Sequence, residues 1–434
     1  MSDAQTKSLE SRRQNDDQEI WTVSVLYSGD AILDAPAPPL PAGDCVIGRS
    51  AVGRRDLHLP EDERLSRRHA CFKRRGDQLS VRDLDSHNGT RVNGQKVQKA
   101  DLSDGDVVRC GNTVLLVRRA PAWPTDADLE GLSGRSPAMR AHRVELAMVG
   151  KTDATVVLTG ETGCGKGAAA RALHAISSRA AKPYVAFNCA AIPETLAEST
   201  LFGHIAGAFT GAIGSEDGLL RAAHGGTLFI DEVGDLVASL QPKLLHFLDD
   251  GTVTPVGSSS QIKVDARIVA ATHVDLDAAV ASGAFRADLW ARLAAVVLEI
   301  PPLRARREDV LPLLVEFAGT APISPDLAEA LVLHDWPWNV RELQRVATEL
   351  GVRGQDLDRW ELDLVAERLK PSAAAPAPAP DTPKTRITPD RAELEALLRT
   401  HKGVVAQVAR ALGRSTKQVY RWMARDGLEV DDFR

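Results

Sequence analysis

The residues of this 434-residue chain best suited to chemistry are a lysine set among glycines and two adjacent carboxylates at the end of an apolar run. Gly160, Glu161, Thr162, Gly163, Cys164, Gly165, Lys166 and Gly167 follow the apolar stretch VVLT and precede the helical pattern AAARALHAI. Between a strand and a helix, such a loop turns backbone N–H groups toward phosphate oxygens, and Lys166 reaches the outer ones. Downstream, TLFIDE ends in Asp231 and Glu232. An acid there can hold Mg²⁺ through water, and the next can orient an attacking water. Asp231 is therefore assigned to the metal and Glu232 to water activation. The implied reaction is hydrolysis of ATP with Mg²⁺. Gly167 stands where a hydroxyl ligand to the metal is usual. Cys164 is either redox-active or, as we prefer, a small residue in place of threonine.

These groups need a parallel sheet to hold them. Apolar runs TVVLTG, YVAFN, TLFID, RIVAAT and VVLEI alternate with helical stretches between Thr155 and Ile300, the pattern of an α/β sheet covered by helices. Leu311 to Lys370 reads as mainly helical. Ahead of this, Ile20 to Arg119 is a series of short β runs punctuated by Gly, Asn and Asp, which predicts an all-β sandwich. Two composition breaks, APAWPTDAD and the Pro/Ala stretch PSAAAPAPAPDTPK, separate regions of different pattern. The expected organisation is multidomain. It comprises a disordered N-terminus over 1–19, a β sandwich over 20–119, a linker over 120–131, an α/β ATPase over 132–302 and a helical lid over 303–370. A Pro/Ala linker over 371–385 and an all-α helix-turn-helix unit over 386–434 complete it.

Composition excludes several classes. The first 18 residues are polar and charged, and no apolar run approaches the roughly 20 residues of a membrane helix, so a cytoplasmic protein is expected without a membrane partner. Five scattered cysteines give no disulfide framework and read as small buried thiols. A net charge of −6 argues against nucleic-acid binding by the whole surface.

Three strings in the β region, Gly48-Arg49, SRRH over Ser66–His69 and SHNGTRVNG over Ser86–Gly94, resemble the forkhead-associated family in kind and order. A phosphothreonine dianion needs a guanidinium and a hydroxyl converging on it, which Arg49, Ser66 and Arg67 would supply. The resemblance implies that Asn88, with His87 beside it, binds the peptide backbone and that His69 is a buried structural histidine. The phosphopeptide would lie on a partner or on this chain.

Residues 132–370 resemble the sigma-54-dependent transcriptional activators, above all in the run Gly207, Ala208, Phe209, Thr210, Gly211, Ala212 between the two nucleotide motifs. In that family the run contacts sigma-54 RNA polymerase, and its small residues suggest a mobile loop with Phe209 and Thr210 at its tip. The resemblance further implies that Asn188 restrains the catalytic glutamate and that Thr272 is the first nucleotide sensor. Arg286 and Arg292 would reach the neighbouring subunit's nucleotide, so activity would depend on assembly of a hexameric ring, and Arg341 is the second sensor on the lid. Trp338 replaces the glycine of the family's WPGN turn, so a steric cost is expected there if the turn needs positive φ.

The C-terminal segment resembles the Fis-type helix-turn-helix. Arg399, Lys402, Arg410, Arg414, Lys417, Arg421 and Arg425 fall in a stretch without a single acid. Arg414, Ser415, Thr416, Lys417, Gln418 and Arg421 are placed to meet upstream DNA. The function implied is a DNA-bound, ATP-driven activator gated by phosphothreonine recognition. The other reading is a phosphoprotein-binding scaffold or repressor with a weak ATPase, suggested by Gly167 and Trp338.

Overall fold

A computed structural model describes residues 19–33, 39–40, 42–51, 53, 56–121, 126–209, 212–370, 391–400, 408, 423 and 428. The expected disordered N-terminus through residue 18 and the Pro/Ala linker lie outside the described residues. Two compact units divide the chain, Met1–Pro371 and Ser372–Arg434.

The first unit begins with the sandwich. In its six-stranded sheet, Glu19–Ser28 pairs antiparallel with Thr113–Pro121, with Val23 opposite Val117, and the sheet continues through Val107–Cys110. The five-stranded sheet is built on Gly43–Gly48, Ala70–Arg75 and Gln78–Asp83. Val108, Leu115 and Val117 point inward to a core with Trp21, Ile47 and Phe72. Alternation along a strand should leave the intervening residues facing water. Instead Val107, Val114 and Leu116 are also buried, because that outer face packs on the helical lid.

The lid consists of helices Val310–Ala318, Pro325–Leu333 and Asn339–Arg353. Ser324 caps the second by accepting from the Leu327 N–H at 3.2 Å. Its Leu311, Leu314, Leu327 and Trp336 share one apolar cluster with Leu26 and Tyr27 of the sandwich. Each such large side chain, fully buried, contributes about 1.5–3 kcal/mol. Several polar groups in the seam are paired. Tyr27 Oη donates to the Ile323 carbonyl at 2.7 Å, and Arg118 forks onto Glu308 at 2.7 and 2.9 Å. Arg109 Nη1 reaches Asp326 at 2.5 Å and Glu329 at 2.9 Å.

Between sandwich and lid, the chain builds an all-parallel sheet in the order Tyr184–Asn188, Thr227–Asp231, Arg267–Thr272, Val156–Thr159, Val296–Glu299. The central strand Arg267–Thr272 is buried throughout, as expected for a sheet covered on both faces. Register places Asn188 beside Asp231 and Thr159 beside Thr272 at one edge, so the chemistry-bearing ends converge.

In the second unit, Arg391–Thr400 is a helix whose Leu394 and Leu398, one turn apart, are buried. Val408, Met423 and Leu428 are buried too, and the Leu428 N–H meets the Met423 carbonyl at 2.9 Å. Arg414, Ser415, Thr416, Lys417, Gln418 and Arg421 lie outside the described residues. No helix among the described residues is long and apolar enough to cross a membrane.

Candidate functional site

The loop after Val156–Thr159 runs into the helix Lys166–Ala175, whose N-cap, Gly165, has φ 115° and offers no side-chain cap. The first N–H groups of that helix therefore point outward for an anion to accept. Lys166 is buried, and its Nζ donates to the Gly160 carbonyl at 2.9 Å and lies 3.3 Å from that of Glu161. Phosphate oxygens would compete for the same ammonium. Cys164 is buried and its thiol is pushed up by desolvation, which favours the small-residue reading over redox chemistry. The other four cysteines are also free thiols.

A Cβ added at Gly167 would meet only the Arg171 guanidinium, at 3.8 Å. The position has room for a larger side chain. The Asp231 carboxyl is raised by desolvation and then by the neighbouring Glu232 charge. Two adjacent carboxylates of this kind fit a divalent cation. No group of three or more His, Cys, Asp or Glu placed to hold a metal occurs among the described residues. Mg²⁺ suits such a site, since it takes one or two carboxylates together with waters and substrate phosphates.

Glu232 has left-handed backbone, φ 53° and ψ 51°, an uncommon and strained state for a non-glycine residue. Its Oε2 accepts from the His273 backbone N–H at 3.2 Å and lies 2.7 Å from His273 Nδ1, while Oε1 is 3.8 Å from Lys166 Nζ. Asn188 was expected to restrain this glutamate. In this structure its Nδ2 donates to Asp231 Oδ2 at 3.1 Å, and its Oδ1 accepts from the Ala190 and Ala191 N–H groups. Register explains the difference, because Asn188 pairs directly with Asp231 at the sheet edge and Glu232 lies one residue beyond. Thr272 is buried, and its Oγ1 accepts from the Val274 N–H at 3.0 Å.

The lid closes on this loop. The Val340 N–H donates to the Gly163 carbonyl at 3.0 Å, and Asn339 Nδ2 reaches the Thr162 carbonyl and Glu161 Oε2, both at 3.1 Å. Arg304 forks onto Glu161, and Arg306 donates to the Cys164 carbonyl at 2.6 Å. Gly163, at φ 78°, has no room for a side chain: a Cβ would lie 2.3 Å from the Trp338 carbonyl oxygen and 3.0 Å from Arg341 Cβ. Arg341 thus starts its path over the loop. Trp338 itself has φ −106°, so the expected steric cost is absent and its indole stands exposed. Left-handed backbone falls instead on Trp336 and Asn339. The sequence reading missed Arg304, Arg306, Asn339 and His273, although the polar Asn339 directly after Trp338 was a visible turn signal.

Arg286 and Arg292 are exposed. Arg286 forks onto Asp288 at 3.0 and 2.7 Å, and Arg292 contacts Asp249 and the Leu248 carbonyl, at 3.2 Å or less. Their partners are on these outer segments rather than at Gly160–Gly167. In the run Gly207–Ala212, Gly207, Ala208, Phe209 and Ala212 are described, whereas Thr210 and Gly211 lie outside the described residues. The base of the run is pinned rather than free. The Gly207 N–H donates to the Ala212 carbonyl at 2.9 Å, and Phe209 packs on His204 with ring centroids 5.0 Å apart. Phe209 is partly exposed and Ile213, not singled out from sequence, is 98% exposed.

On the sandwich, three loops converge. The Arg49 N–H donates to the Ser66 carbonyl at 3.0 Å, the Ser50 N–H to that of Arg67 at 3.1 Å, and the His87 N–H to Ser66 Oγ at 3.1 Å. Asn88 Nδ2 donates to the Arg64 carbonyl at 2.6 Å. Arg67, His87 and Asn88 are exposed, so their donors face solvent on one rim. His69 is fully buried between Ser66 N–H and the Gly89 carbonyl, and desolvation lowers its proton affinity, as a structural histidine requires.

Comparison with known proteins agrees with this layout. The sigma-54 interaction domain matches residues 132–299, and the FHA domain matches residues 45–111. The transcriptional regulatory protein ZraR of Klebsiella oxytoca is 39% identical over 317 residues, 70% of this chain and 71% of its own. The anaerobic nitric oxide reductase transcription regulator NorR of Aeromonas hydrophila is 40% identical over 382 residues, 80% of this chain and 75% of its own. Among solved structures, NtrX from Brucella abortus in complex with ATP superposes with a TM-score of 0.51 at 31% identity, covering 68% of this chain and 69% of NtrX.

Proposed function

This chain belongs to the sigma-54-dependent transcriptional regulators and carries an FHA domain, and from that premise we propose that it is an ATP-driven activator of sigma-54 RNA polymerase. The observation that carries the reading is the convergence of Lys166, Asp231 and Glu232 at the carboxyl edge of the parallel sheet, under a lid bonded to the phosphate loop. Lys166 and the loop N–H groups hold the phosphates, and Asp231 would hold Mg²⁺, which when bound would supply positive charge to offset theirs. Glu232 orients a water whose oxygen bonds to the γ-phosphorus. The bond to the bridging oxygen breaks, ADP leaves with the electron pair, and the water proton passes toward Glu232.

Arg286 and Arg292, exposed and held by surface carboxylates or carbonyls, are free to be recruited into a neighbour's site, so hydrolysis depends on assembly of a hexameric ring. Phe209 and Thr210 contact the polymerase, and the C-terminal unit places the ring on upstream DNA through Arg414 to Gln418 and Arg421. The protein works in the cytoplasm.

Gating by phosphothreonine has a physical route. Asn88 bonds the Arg64 carbonyl, and Asp62 accepts from the Arg64 N–H at 2.9 Å and from Thr113 Oγ1 at 2.8 Å. Arg109 Nε bonds the Gly111 carbonyl while its Nη1 grips the lid. A peptide bound by Arg49, Ser66, Arg67, His87 and Asn88 therefore pulls on loops that are tied to the nucleotide lid. The scaffold reading loses one of its supports, since Trp338 carries no left-handed backbone. Open-complex formation with purified sigma-54 polymerase tests the function. Transcription that needs neither Thr210 nor ATP overturns it, and indifference to phosphothreonine peptide and to Arg49→Ala overturns the gating.

A further inference from the structure

We propose that His273 is the positioning residue that holds Glu232 back in the resting enzyme, a role that rests on the reading of Glu232 as the water-activating base. Both donors of His273 converge on one oxygen, Oε2, from 3.2 Å (backbone N–H) and 2.7 Å (Nδ1), and the other oxygen faces Lys166. One oxygen that would orient a water is thereby bonded to His273, and the other lies in an ion pair with Lys166 at 3.8 Å. The backbone of Glu232 is left-handed, so the residue is kept in a costly conformation that its partners must maintain.

Asn188 is turned to other partners: its amide nitrogen donates to Asp231, and its oxygen accepts from two backbone N–H groups. His273, by contrast, follows Thr272 directly, and the Thr272–Val274 turn is braced against the one after Glu232: a Cβ at Gly234 would lie 2.8 Å from Thr272 Oγ1 and 2.9 Å from Val274 Cβ. A γ-phosphate that moves Thr272 therefore moves His273 with it and frees the carboxylate. The histidine is half exposed, so it can swing outward without a buried cavity to fill.

The test uses the full-length protein. With His273→Ala, kcat for ATP in the absence of polymerase should rise about three- to tenfold while KM and ADP affinity stay within twofold. His273→Asn, whose amide nitrogen falls where Nδ1 was, should restore the low rate. Asn188→Ala, which strips Asp231 of its donor, should lower kcat. An unchanged or lower kcat in His273→Ala overturns the proposal, as does an equal rise in His273→Asn. A rise in Asn188→Ala alone returns the restraint to Asn188. Hydrolysis retained in Glu232→Gln overturns the assignment of the base itself, a failure distinct from the others.

Discussion

The lid has two joints, and they are built in opposite ways. Toward the FHA domain it presents leucines and Trp336, and the charges within that seam, Arg118–Glu308 above all, are nearly excluded from water, with side-chain exposures of 12% and 4%. Toward the phosphate loop it offers backbone N–H groups, Asn339 and the Arg304–Glu161 pair, whose side chains are 34% and 41% exposed. Apolar area and desolvated pairs hold for as long as the fold does, whereas solvated polar contacts exchange readily with water or a ligand. The first joint is thus a fixed mount and the second a movable latch. A lid mounted on a reader domain and latched on a nucleotide loop passes strain from one to the other.

Breaking the mount should have the largest effect. Glu308→Ala leaves Arg118 charged and buried without its partner, and should lower unfolding free energy by about 3–5 kcal/mol in chemical denaturation. A loss below about 1 kcal/mol would mean that the seam is not a mount.

Acid should act next, and near the latch. His142 is buried without a hydrogen-bond partner, and desolvation followed by the charges of Arg306 and Arg143 pushes its pKa down to about 4. The unfolded chain, with an ordinary histidine, takes up a proton first as pH falls. Its contribution, fully present above about pH 6.5, is therefore lost progressively toward pH 4, by up to roughly 3 kcal/mol. Denaturation midpoints of the parent and of His142→Leu across that window measure it, and the variant should show a flatter dependence.

Gly163→Ala tests the fit of lid to loop. Left-handed backbone alone costs roughly 1–2 kcal/mol, and the Trp338 carbonyl must also move, so ADP affinity should fall about tenfold or more in fluorescence titration. The smallest change is expected from Arg304→Ala. A partly exposed pair is worth roughly 0.2–1 kcal/mol, so stability should scarcely change in the same denaturation assay that registers Glu308→Ala.

Much of this was legible in the sequence. The strands Val156–Thr159, Thr227–Asp231 and Arg267–Thr272 follow from apolar runs that end in polar residues, and the phosphate loop follows from glycines between strand and helix. The docking of sandwich on lid was legible only in hindsight. Val114 to Val117 is apolar at every position, which an antiparallel strand with one wet face does not need. That run is the trace of a second covered face, and the linker over 120–131 drew attention away from it. Which carboxylate Asn188 meets was not legible, because a one-residue difference in strand register decides it, and register is set by pairing between residues 43 apart in the chain. Trp338 was misjudged because the left-handed residues of its turn are its neighbours Trp336 and Asn339, and sequence spacing does not say which position carries the positive φ.

The exposed indole of Trp338 also has an optical consequence. It sits on the residue whose carbonyl touches the phosphate loop, with 57% of its surface in water, whereas Trp21, Trp336 and Trp360 are buried. Its emission should be red-edged and quenchable by iodide, and should respond when nucleotide draws the latch. Trp338 is thus the most exposed of the described indoles and a reporter of lid movement, while the buried Trp21, Trp336 and Trp360 emit further to the blue.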